Sequence, residues 1–172
     1  MYIHWYERCI YTGRGGPLNV REVSYEAKLQ TLNYKIEPVN LESGKYVGGV
    51  KVGKLIFTSG QVSSWDGKEM KGRVGKDLTV EEGYTAARMC ALKNLQVIKT
   101  IAGSLDNVSQ CVKVFGMVNV APGFDNTPGV INGCSDLLRA VYGDAGKHAR
   151  CAIGATIPLN WAVEVDMVVE VK

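Results

Sequence analysis

The sequence predicts an α+β domain in which helices cover one face of a mixed sheet. Three observations carry that expectation. The run from Thr79 to about Ala102 has helical periodicity behind a capping box, with Glu82 three residues after Thr79. Val108 to Val120 alternates with the period of a strand. Two more strand-like runs close the chain, separated by a break at Pro158 and Asn160. The order is therefore strands, helix, strand, helix, strand, strand, in a chain of 172 residues whose 46% hydrophobic content suits one soluble domain with a sizeable core.

Residues 1–23 hold no sustained period and are interrupted by Gly13, Gly15, Gly16 and Pro17, so they are expected to form an extension or leader outside a folded unit spanning 24–172. Glu7 and Glu22, and the lack of an apolar core segment, argue against a targeting peptide, so a cytoplasmic location is expected, with an organelle left open by the extension. A short helix is expected from Ser24 to about Thr31. Lys45 to Lys51 and Leu55 to Gly60 follow as two short strands around a Gly53-Lys54 turn. Ser63 to Gly67 contains the Asp-Gly pair of a tight hairpin, with Glu69 to Gly75 as its returning strand.

Along the long helix, Ala87, Cys90, Ala91, Asn94, Leu95, Ile98 and Ile101 share one face, and Gly103 stops it. In the long strand, Val112, Val114, Gly116 and Val118 are expected on one side. Thr127 followed by Pro128 opens a second helix as N-cap and first-turn proline, and Gly143 ends it. Apolar residues such as Val47, Val114 and Val165 leave the sheet with too little polar surface for an open second face, so an oligomer is expected to cover it.

Composition excludes several functions. The formal charge of +3 is small and its lysines and arginines are interspersed with acids, so no nucleic-acid footprint stands out. Five scattered cysteines without a CxxC pair, and two histidines, give neither a disulfide framework nor a metal constellation. No apolar run is long enough to span a bilayer.

The chemistry concentrates between His148 and Val171. His148 and Arg150 share one strand face, and Glu164 and Asp166 share another. An arginine fork recognises a carboxylate through two parallel hydrogen bonds, and a nearby carboxylate can handle a proton or a water. An ordinary Arg150–Glu164 ion pair on a sheet is the simpler reading of this stretch alone.

The blocks Gly44-Lys45-Tyr46-Val47, Gly53 to Gln61 (GKLIFTSGQ), Ala121 to Phe124 (APGF), Asn132, and the closing H-A-R…P…V-E-V-D resemble the RidA/YjgF family of imine deaminases, over roughly Gly44 to Val171. The APGF and K-H-A-R segments are similar to a longer, less characterised branch of it. The resemblance implies a chorismate-mutase-like fold: a mixed six-stranded sheet with two helices on one face, assembled as a trimeric barrel with sites between subunits. It also implies that the final strand inserts between earlier strands, whereas the bare pattern suggests a terminal hairpin.

By the same resemblance, Arg150 corresponds to the clamp for a substrate carboxylate and Glu164 to the group that positions or activates water. Tyr46, Ser59, Gly60 and Asn132 correspond to pocket positions. For Tyr46 and Asn132, simple packing and a local backbone hydrogen bond explain the residues equally well. Ala152 stands where a cysteine is frequent, and Cys151 beside it faces the other way. The segment between Arg150 and Pro158 is one residue shorter than the family pattern, which bears on the face Glu164 presents. No cofactor and no metal are implied. The expected activity is hydrolysis of 2-imino acids to 2-oxo acids and ammonia. The alternative is a trimeric module that binds a small carboxylate without turnover. An endoribonuclease fits less well, with only His148 inside the domain.

Overall fold

The computed structural model describes residues 23–172, so the expected leader lies outside the described residues apart from its last position. The chain forms helix α1 (Tyr25–Thr31), strands β1 (Gly49–Val52), β2 (Leu55–Thr58), β3 (Gln61–Val62), β4 (Ser64–Trp65) and β5 (Lys68–Glu69), and helix α2 (Val80–Ala102). Strand β6 (Val108–Asn119), helix α3 (Thr127–Tyr142), strand β7 (Ala149–Ala155) and strand β8 (Val163–Val171) complete it. Six strands make one sheet in the order β1-β2-β8-β6-β7, with β3 also paired to β8. β7 runs parallel to β6 and the other neighbours are antiparallel. β8 thus lies between β2 and β6, as the family resemblance implies, and a terminal β7–β8 hairpin does not form.

The capping box at α2 is present in both directions: the Thr79 hydroxyl accepts from the Glu82 N–H and the Glu82 carboxylate accepts from the Thr79 N–H. The predicted apolar face of α2 is buried from Ala87 to Ile98, and full burial of each large aliphatic there contributes about 1.5–3 kcal/mol. Asn94 on that face is fully buried yet satisfied. Its amide donates to the carbonyls of Cys90 and Val165 and its oxygen accepts from the Thr58 hydroxyl, which ties α2 to β2 and β8. Helices α2 and α3 meet where Gly133 lies against the Tyr84 carbonyl, a place with no room for a Cβ. Gly116 gives Ile131 of α3 the same access to β6, where a Cβ would stand 2.5 Å from its Cδ1.

Several local expectations need correction. The first strand begins at Gly49, because residues 41–48 close on themselves in a turn bridged by Glu42 and Val47. The returning strand of the hairpin is only Lys68–Glu69. Its Asp66 and Gly67 both take positive φ, as a tight two-residue turn demands. Beyond it, Lys71 bridges Trp161 and Val74 bridges Val120, so this backbone follows the ends of β6 and β8 instead. Val112 is exposed and not in line with Val114, because the β6–β8 register shifts between Cys111 and Lys113. Helix α3 is capped by Asn126, whose side chain accepts from the Gly129 N–H; Thr127 is its first residue and donates to the Ala152 carbonyl.

One sheet face is sealed by the helices, with Ile56, Val114, Val118, Val163, Val165 and Met167 beneath them. Val114 and Val165, taken from the sequence as signs of an apolar second face, therefore belong to the core, and Val47 lies in no strand. The second face is nonetheless apolar at other positions: Val50, Phe57 and Ile153 are exposed on it beside half-buried Phe115, Met117 and Val168. No helix among the described residues is long and apolar enough to cross a membrane.

Candidate functional site

The residues singled out by the sequence fall into two groups on opposite faces of the sheet. Arg150 pairs across the ladder with Val114, whose side chain is buried under the helices, so Arg150 rises on the helix side at the edge strand β7. Its exposed guanidinium reaches α3, where Nη1 donates to Asn132 Oδ1 at 2.7 Å and to Ser135 Oγ at 3.2 Å. Nε and Nη2 make no hydrogen bond among the described residues, so the edge that matches a carboxylate stays open. His148 stands beside it, with Nε2 3.0 Å from Ser135 Oγ and Nδ1 2.7 Å from the Gly146 carbonyl. Burial, and also the Arg150 charge, hold the His148 pKa below its ordinary value.

Glu164 pairs with Met117 of β6 and with Val62 of β3, between two fully buried valines of β8, and so projects from the open face. Gly60 lies directly against its carboxylate, in space that any side chain would occupy. The adjoining Ser59 donates its hydroxyl to the Val47 carbonyl at 2.6 Å, while its N–H donates to the Gly48 carbonyl at 2.8 Å. These bonds fasten the end of β2 to the turn that carries Tyr46, whose ring is exposed. Tyr46, Ser59, Gly60 and Glu164 thus form one group, and Asn132, Ser135, His148 and Arg150 the other.

The Arg150–Glu164 ion pair suggested by the final stretch is absent. The two side chains leave the sheet on opposite sides, so they also do not converge within one chain. Asn132 makes neither a local backbone bond nor an open ligand contact through its oxygen, which is occupied by Arg150. Ser135 was not singled out; its position three after Asn132 on α3 was the available signal.

Burial, and then the Asp166 charge, push the Glu164 carboxyl above its ordinary range; burial also raises Asp166, an effect that Lys113 opposes. A carboxyl whose pKa is raised by folding costs stability once it ionises, so the cost is present at neutral pH and vanishes below the ordinary Asp value of 3.8. Asp166→Asn is therefore expected to raise the urea midpoint at pH 7, with a gain that fades as the pH is lowered through this range. A gain that grew on acidification would contradict the assignment.

A groove of about 640 Å³ between the β4–β5 hairpin and α2, lined by Trp65, Lys68 and Lys93 among others, contains neither group. Among the described residues no cluster of three or more His, Cys, Asp or Glu is placed to hold a metal. Cys90, Cys111 and Cys134 are buried, and burial pushes the thiols of Cys111 and Cys134 up to about 12, far from reactive.

Known proteins match this architecture. Residues 26–171 fit a family model described as "YjgF/chorismate mutase-like, putative endoribonuclease". Protein TCP17 of Trypanosoma cruzi is 42% identical over 149 residues, covering 85% of this chain and 93% of that protein. The crystal structure of Atu1372 from Agrobacterium tumefaciens, a protein of unknown function, superposes with a TM-score of 0.79 at 35% identity, over 86% of this chain and 92% of that one. A Shewanella oneidensis structure with the same endoribonuclease description gives a TM-score of 0.81 at 31% identity, over 86% of this chain and 99% of that one. With its sheet order, its two covering helices and a match along nearly all of the described residues, the chain belongs to the YjgF/chorismate mutase-like family.

Proposed function

We propose that the protein is an enamine/imine deaminase that hydrolyses 2-imino acids to 2-oxo acids and ammonia, at a site closed by two subunits of a homotrimer. The observation that carries this reading is the open Nε–Nη2 edge of Arg150, held in place through Nη1 by Asn132 and Ser135. That edge binds the substrate carboxylate with two parallel bonds. An imine carbon is already electrophilic, so the protein needs only to orient it, deliver water and manage protons. Glu164 takes a proton from the water as its oxygen bonds to the imine carbon, and returns it to the nitrogen. The remaining hydroxyl proton then passes through Glu164 to the same nitrogen as the carbon–nitrogen bond breaks, so that ammonia leaves and the oxygen becomes the carbonyl. A carboxyl with a raised pKa suits this alternation.

Two features support a site between subunits. Arg150 and Glu164 lie on opposite faces of their own sheet, and the face that carries Glu164 is apolar around Phe57 and Ile153, as a packing surface would be. In a ring of three, the Glu164 group of one chain meets the Arg150 group of the next, with Tyr46, Ser59 and Gly60 lining the cleft.

The separation of Arg150 from Glu164 within the chain also favours a second reading, a carboxylate-binding module without turnover. RNA cleavage fits less well, since His148 is held between Ser135 and Gly146. The deciding test generates imines in situ with an amino acid oxidase and follows ammonia and 2-oxo acid. The deaminase reading expects release faster than the spontaneous rate for at least one amino acid. Binding of 2-oxobutanoate with no acceleration over the panel would establish the module instead.

A further inference from the structure

His148 lies just before β7, outside the strand, and shares the Ser135 hydroxyl with Arg150, yet imine hydrolysis as written leaves it and Ser135 without a task. For a neutral imidazole the hydrogen bonds around them have one consistent direction. A carbonyl can only accept, so Nδ1 of His148 must carry the proton it donates to Gly146. With its pKa lowered the ring is neutral at physiological pH, and Nε2 is then an acceptor. The Ser135 hydroxyl must donate to it, which turns the oxygen's lone pairs toward Arg150 Nη1. Asn132 Oδ1 takes the other Nη1 hydrogen. Both Nη1 hydrogens are thereby committed, and three of the five guanidinium hydrogens remain on the Nε–Nη2 side.

The far end of this chain of bonds is closely packed. Gly146 is buried where a Cβ would collide with the Leu138 carbonyl, in the short turn from Gly143 to Gly146 that follows α3. Of the charged groups near it, Asp144 and Lys147 pair with each other at 2.8 Å.

We propose that Ser135 and His148 are positioning residues that, together with Asn132, lock the Arg150 guanidinium with its Nε–Nη2 edge presented to a 2-imino or 2-oxo acid. The proposal deepens the deaminase reading and rests on Arg150 being the carboxylate clamp. An exposed arginine is otherwise free to adopt many rotamers, and that freedom must be lost when ligand binds. The chain from Gly146 to Arg150 removes it beforehand.

Titration calorimetry of the assembled full-length protein with 2-oxobutanoate tests this, beside steady-state turnover of an imine generated in situ. Ser135→Ala is expected to weaken the Kd about tenfold, because a hydrogen bond to a charged group is lost. His148→Leu, which removes the acceptor that orients the hydroxyl, should act in the same direction. Ser135→Thr keeps the hydroxyl and should restore the Kd to within about twofold of the parent. KM should rise with Kd while kcat stays near the parent value, a split that general loss of structure would not produce. If Arg150→Ala abolishes binding but Ser135→Ala and His148→Leu bind like the parent, the positioning role is overturned and the clamp stands. If Arg150→Ala itself binds like the parent, the clamp reading falls, and this proposal with it.

Discussion

Arg150→Ala is expected to lower kcat/KM for imine hydrolysis by about two to three orders of magnitude, equivalent to about 3–4 kcal/mol of lost transition-state binding. On the proposed deaminase reading, the alanine variant loses both parallel bonds to the substrate carboxylate. It also leaves Asn132 Oδ1 and Ser135 Oγ without their donor, at the edge of β7. Because Arg150 is exposed and lies on an edge strand, the change should cost little stability, and the thermal midpoint should stay close to that of the parent. Arg150→Lys should recover little: one ammonium cannot bond Asn132 and Ser135 while also offering a planar fork. Steady-state ammonia release checks both variants, and full turnover by Arg150→Ala would remove this residue from the site.

The second large effect concerns pairs of inactive chains. If each site takes Arg150 from one chain and Glu164 from its neighbour, Arg150→Ala and Glu164→Gln proteins should each be inactive alone. Mixed in equal amounts, unfolded and allowed to reassemble together, they should regain about a quarter of the parent's turnover, since a random ring joins two intact halves at about one contact in four. A site contained within one chain would give no recovery at all, because every chain in the mixture carries a defect. The opposite-face placement of the two side chains is the structural ground for expecting recovery.

The parts of the fold legible in the sequence were those set by local chemistry. Thr79 and Glu82 announced the start of α2, and Asp66-Gly67 announced a tight turn, because backbone donors and positive φ have few solutions. What escaped depends on partners distant in the chain. Strict alternation groups Val112 with Val114, but the β6–β8 register shift displaces it, and nothing within β6 alone marks that shift. The place of β8 between β2 and β6 came from the family resemblance and not from periodicity, which cannot choose among sheet orders. Arg150 and Glu164 were legible as residue types, but the faces they occupy follow from a parallel register with β6 in one case and an antiparallel one in the other. For Ser135 the sequence offers only its place one turn after Asn132 on α3, and its role follows from partners on β7 and in the turn before it.

The central position of β8 also constrains how the chain comes to be folded. Every other strand precedes it, yet β2 and β6 each need it as a neighbour, so while the chain is being made both present bare backbone edges that invite pairing with other chains. The pairings that close the sheet join residues as far apart as Leu55 and Glu170, a long-range topology that slows folding. Burial of the core, alignment of Glu164 with Gly60 and protection of those edges therefore arrive in one late step, and nascent chains held short of β8 should be the form most prone to aggregate.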